Sequence, residues 1–202
     1  GPCLIGALSF VGMKFARSEV ETQVYISPPS QTVNAGQTFT VNVLIAPAKA
    51  IAGAQFNLSF DPALLTANSV AEGNLLGNLT LFSPGNISNS AGTITNVYGA
   101  IITAGATVST AGVFATITFT ATATPGNATS IFDLFNVVVG DAGGADVTIN
   151  VTDGSVAIEA TLTTSSTEGG SVATPGEGIF GYPGGTEAAI TAMPADACWY
   201  FT

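Results

Sequence analysis

From Val24 onward apolar and polar residues alternate with a period of two, and Gly, Pro, Asn and Asp break the alternation at short intervals. A strand sends successive side chains to opposite faces, so each alternating run offers one apolar row to a core and one polar row outward. "QTFTVNVLIAP" sets Phe39, Val41, Val43 and Ile45 on one face, with Thr40, Asn42 and Leu44 on the other. "AGAQFNLSFDP" sets Ala54, Phe56, Leu58 and Phe60 inward and Gly53, Gln55, Asn57 and Ser59 outward, then stops at Asp61-Pro62. "GVFATITFTATAT" puts Val113, Ala115, Ile117 and Phe119 inward. No window carries a helical period of 3.6 with caps, and β-branched residues dominate. Eight or nine short strands at this spacing predict an all-β sandwich.

The breaks organise the chain. "VYISPPSQTVNAG" reads as a short strand interrupted by Pro28-Pro29, which suits an edge. "NLTLFSPGNISNSAGTITNVYGA" reads as two strands joined across Asn89-Ser90-Ala91-Gly92, with Tyr98 expected on the same face as Ile94 and Asn96. Gly154 to Ala160 make a natural last strand, and denser Gly and Pro beyond it mark a second, smaller module. The expected segments are therefore 1–23, a leader or the tail of a preceding segment; 24–159, the sandwich; and 160–202, a β-rich repeat-like module. The opening "CLIGALSFVGM" has the apolar character of a signal-peptide core, but the positive charges follow it and no A-x-A site appears. Cys3 and Cys198 stand near opposite ends in different segments, so a disulfide framework is not what holds the fold.

Charge narrows the function. Only 8% of residues are charged, so Thr, Ser, Asn, Ala and Gly must fill the surface, as in secreted wall proteins. The net charge is −10, and no Lys or Arg follows Lys49. Phosphate binding needs cationic side chains to release counterions, which excludes nucleic acid as a partner. With no histidine in the chain, Ser-His-Asp and Cys-His catalysis are both out of reach.

The carboxylates are the remaining route to chemistry. Asp61 precedes Pro62, Asp141 stands in "VGDAGG" and Asp153 in "TDGS", all turn compositions in which Asp bonds its own backbone. No pair stands out for acid–base catalysis, so the chain reads as non-enzymatic. Asp141, Asp146 and Asp153 offer the hard oxygens that Ca²⁺ takes, at spacings unlike an EF-hand loop. Sequons begin at Asn57, Asn78, Asn86, Asn127 and Asn150. Up to Glu159 there is no Trp, which leaves little for a flat polysaccharide-binding platform.

"SPPSQTVNAGQTFTVNVLI", "IAGAQFNLSFDPALLTANSV", "GTITNVYGAI", "AGVFATITFTA" and "DGSVAIE" together resemble a cohesin module over Val24 to Glu159. The resemblance implies a nine-stranded jelly-roll sandwich, extracellular or at the cell surface, that binds a dockerin-like module by one sheet face and needs no cofactor of its own. Carried onto this chain, the implied docking residues are Gln55, Asn57, Ser59, Asn96 and Tyr98, around an apolar contact. Cohesins place acidic groups on this face, whereas the outward row here is neutral. "EGGSVATPGEGIFGYPGGTEAAITAMPADACWYFT" resembles the start of a Listeria-type B repeat, a spacer or adhesive surface module. Polysaccharide binding and a structural stalk are the competing expectations.

Overall fold

The computed structural model describes residues 20–77, 80–122, 128–182 and 186–195. The segment before residue 20, Cys3, Cys198, Asn78 and Asn127 lie outside them. Every regular element among the described residues is a strand: β1 Thr22–Ser27, β2 Ser30–Asn34, β3 Thr38–Ala46, β4 Gly53–Ser59, β5 Leu65–Glu72, β6 Thr80–Ser83, β7 Asn86–Ser88, β8 Thr93–Ile101, β9 Gly112–Ala121, β10 Ala128–Gly140, β11 Ile149–Thr152, β12 Gly154–Thr164, β13 Gly170–Thr174, β14 Gly178–Tyr182 and β15 Thr191–Pro194.

Two sheets form the sandwich. The smaller runs β11-β1-β3-β9-β5, and the larger runs β14-β12-β10-β4-β8-β6, with β2 added on β12 and β7 on β8. Pro28-Pro29 falls where the chain leaves β1 in one sheet and enters β2 in the other. Proline cannot donate to a ladder, so the pair ends one set of pairings before the next begins. Between the sheets lies a phenylalanine cluster centred on Phe119, whose ring centroid is 5.0 Å from Phe132, 5.3 Å from Phe60 and 5.9 Å from Phe39. Phe114 makes edge contacts with Phe56 and Phe82.

Alternation placed most of these rows as expected, and one-residue bulges account for the exceptions. On β9 Ala115, Ile117 and Phe119 are buried, but Phe114 rather than Val113 completes the row. The register to β3 slips between Val43 and Leu44, and an extra residue in a ladder reverses the facing of everything beyond it. On β8 Ile94 is buried while Asn96 and Tyr98 are exposed, so Ile94 does not share their face.

The expected module boundary after Glu159 falls inside a continuous strand. β12 pairs with β10 over Gly154–Ile158 and with β14 over Ala160–Thr164. Gly181 of β14 packs close against this junction: a Cβ there would lie 2.6 Å from Asn34 Oδ1 and 2.8 Å from Glu159 Oε2.

Candidate docking face

Gln55, Asn57 and Ser59 point outward from β4, a central strand of the larger sheet. Its neighbours are β8 and β10, and each carries a bulge beside Asn57. The β4–β8 register shifts between Phe56 and Leu58, and the β4–β10 register shifts between Phe135 and Val138. The bulged residues are Asn96 and Asn136, with φ of 59° and 50°. Asparagine tolerates this left-handed conformation better than most side chains, because its short amide bonds locally. Each bulge sends two consecutive residues to the outer face, Thr95-Asn96 on one side and Phe135-Asn136 on the other.

Asn57 holds one of these bulges in place. Its side-chain oxygen accepts the backbone N–H of Asn96 at 2.8 Å. Behind the same bulge Gly85 has a φ of 72°, and a Cβ there would come within 2.3 Å of Thr95 O. The Pro84-Gly85 break between β6 and β7 thus lets one edge follow the bulged backbone of β8.

The result is a depression of about 480 Å³ in the sheet surface, lined by Gln55, Phe56, Asn57, Asn96, Tyr98, Asn136, Val137 and Val138. Gln55 sits directly between Tyr98 and Val138 in register. Four of the five expected docking residues therefore line one hollow. Ser59 lies outside it, with its hydroxyl donating to Asp133 at 3.4 Å. Beside the hollow, Leu81 pairs with Ala100 on the outer face. Leu81 is 54% exposed, Tyr98 43% and Val138 37%, which supplies an apolar margin.

β10 is what the sequence reading missed. Asp133, Asn136 and Val138 join the face only because β10 pairs with β4, a contact between strands far apart in sequence. Nothing local in "SIFDLFNVVVG" says which strand lies beside it. Asp133 also puts one acid on a face that read as neutral.

The two outer faces differ in how their polar groups are spent. On the smaller sheet they bond one another: Thr38 with Thr120 at 3.0 Å, Asn68 to Thr120 at 2.8 Å, Thr116 to Asn42 at 2.7 Å and Asn150 to Gln23 at 2.8 Å. On the larger sheet, among the described residues, the side chains of Gln55, Asn96, Asn136 and Tyr98 make no such bond. Each amide there keeps a free donor and acceptor. A partner meeting the larger face can form new hydrogen bonds without breaking internal ones.

The acidic turns resolve differently. Asp141 Oδ1 accepts the N–H groups of Gly143 at 2.9 Å and Ala145 at 3.0 Å, and Lys49 stands 3.9 Å from Oδ2. The Ala145 and Gly143 bonds, with a smaller contribution from Lys49, hold this carboxyl below the ordinary aspartate value. Asp61 caps its own turn by accepting the N–H of Ala63. Asp153 instead reaches across to accept Leu134 N–H at 2.9 Å. Among the described residues no three Asp, Glu, Cys or His gather as a metal-holding group, so Asp141, Asp146 and Asp153 are not brought together.

A cohesin-domain family model matches residues 24–158. The chain belongs to the cohesin family. Its cohesin domain is a non-catalytic protein–protein interaction module. The sixth cohesin of Acetivibrio cellulolyticus scaffoldin B, solved with a dockerin, is 23% identical; the likeness covers 69% of this chain and 100% of that one, with a TM-score of 0.59. A Clostridium thermocellum type I cohesin–dockerin complex is 18% identical over 72% of this chain and 99% of that one, with a TM-score of 0.56. The non-cellulosomal cohesin of the archaeon Archaeoglobus fulgidus is 17% identical over 69% and 91%, with a TM-score of 0.53. These likenesses establish the cohesin jelly roll as the fold. A comparison with curated proteins found no sequence match.

Proposed function

We propose that this cohesin domain binds a dockerin-type module through the outer face of β10, β4 and β8. The observation that carries the reading is the unspent hydrogen-bonding capacity of Gln55, Asn96, Asn136 and Tyr98 beside exposed Leu81 and Val138. Specific interfaces bury about 800 Å² per partner, so a docked module must reach beyond the hollow onto the strands around it. The dockerin complexes of the Acetivibrio and Clostridium relatives support the choice of partner.

In this reading the domain works outside the cell or at its surface and uses no cofactor. Residues 160–202 serve as a B-repeat-like spacer or adhesive unit, supported by the Gly and Pro punctuation of "TPG" and "YPGGT". Capture from a panel of dockerin modules tests the docking. Wild-type protein should retain a dockerin, and the Gln55→Ala/Tyr98→Ala double variant should release it while melting at the same temperature. A double variant that stays folded and still captures the dockerin overturns this face as the docking site.

A second reading has its own support. Tyr98 amid neutral amides also suits the hydroxyls of a neutral polysaccharide. Retention on insoluble polysaccharide with no dockerin present, lost on Tyr98→Ala, would establish it.

A further inference from the structure

We infer that the docking face recognises its partner without using charge, so that the partner surface it fits is apolar and bordered by Ser, Thr, Asn or Gln rather than by Lys or Arg. This rests on the docking reading above and specifies the chemistry of the partner.

The strands that build the face carry almost no charge. Across β4, β6, β7, β8 and β10 the single charged side chain is Asp133. It stands beside Ser59, outside the hollow. At the opposite end, Asp141 follows Gly140, but its carboxylate is already occupied by two backbone N–H groups and Lys49. The chain as a whole carries a net charge of −10, yet Asp133 is the single acid on these strands.

A lysine or arginine pressed into the hollow would lose its water and meet no counter-charge, which is strongly unfavourable. An aspartate or glutamate would fare no better, with the added repulsion of an acidic protein. Neutral amides and hydroxyls pair with Gln55, Asn96 and Asn136 in either direction, because both sides donate and accept. Leu81, Tyr98 and Val138 supply the apolar contact. Exposed charges screen over about 10 Å at 0.1 M salt, so an uncharged contact should hardly sense ionic strength.

The test is selection followed by titration. A yeast-displayed library on the Acetivibrio cellulolyticus Cel5 dockerin scaffold, with its exposed positions randomised, is sorted against the whole chain at constant calcium. Selected clones should be depleted of Lys and Arg relative to the unsorted library. Their Kd should change by less than about threefold between about 50 mM and about 1 M NaCl. Clones that keep or enrich Lys and Arg, or weaken more than about tenfold over that range, overturn the inference while leaving docking intact. Clones whose affinity ignores Tyr98→Ala overturn the docking reading itself, and a sort that yields no binder counts against both.

Discussion

The side-chain oxygen of Asn57 accepts the backbone N–H of Asn96, the left-handed residue at the centre of the β8 bulge. One amide on the central strand thereby shapes the hollow that its own face presents. Replacing it with alanine removes the acceptor, and a typical net loss is about 1 kcal/mol of stability. Asn57→Asp keeps an oxygen in place but puts a carboxylate on the face. The alanine variant should therefore melt earlier, while the aspartate variant melts like wild type and binds its partner more weakly. Thermal unfolding and calorimetric binding separate the two effects.

Tyr98 stands opposite Gln55 and is exposed, with no hydrogen bond to lose among the described residues. Tyrosines in such positions are frequent binding hot spots. Tyr98→Ala should weaken partner binding by about tenfold or more, with the melting temperature unchanged. Surface plasmon resonance beside a thermal melt reads both quantities.

Phe119 touches three other rings in the middle of the sandwich and is fully buried. Truncating it leaves a cavity between sheets that cannot close without moving both. Phe119→Ala should cost about 3–5 kcal/mol, and Phe119→Leu markedly less. Urea unfolding of the two variants gives the comparison.

Asp141 ties the loop after β10 to itself through the N–H groups of Gly143 and Ala145. Its pKa is lowered in the folded chain, chiefly by those bonds. The stabilisation is therefore present above the unfolded value of about 3.9 and is lost as pH falls through the lower folded value. Protection of the Gly143 and Ala145 amides, measured against their intrinsic exchange rates, should be full at about pH 5 and be lost as pH falls below the unfolded aspartate value. In Asp141→Asn, whose amide oxygen does not titrate in this range, the acid-induced loss of protection should be absent.

Gly181 lies against Asn34 and Glu159, where β2, β12 and β14 meet. A side chain there meets only the far ends of Asn34 and Glu159, which can swing into solvent. Gly181→Ala should therefore leave β14 paired with β12 and the melting temperature little changed. Limited proteolysis beside a thermal melt reads both quantities.

Local pattern carried the fold class. Alternation named the inward rows of β3 and β4 residue by residue, because a two-residue period allows only two faces. It failed at Val113 and at Ile94 for one reason: a bulge is an extra residue opposite a partner strand, and a single strand holds no record of its partner. The continuous β12 shows the same limit. Denser Gly and Pro after Glu159 marked a change of composition, yet the backbone ladder runs through it because β14 pairs where β10 leaves off.

By itself, the sequence determined that this chain is a charge-poor β-sandwich with no histidine, and it exposed Gln55, Asn57 and Tyr98 as outward residues. Only the tertiary structure decided which outward rows form one surface. Pairing β10 with β4 brought Asn136 and Val138 beside Gln55, and the two bulges turned a flat face into a hollow. Those choices depend on hydrogen bonds between strands distant in the chain, and their energy belongs to the assembled sheet rather than to any one segment of it.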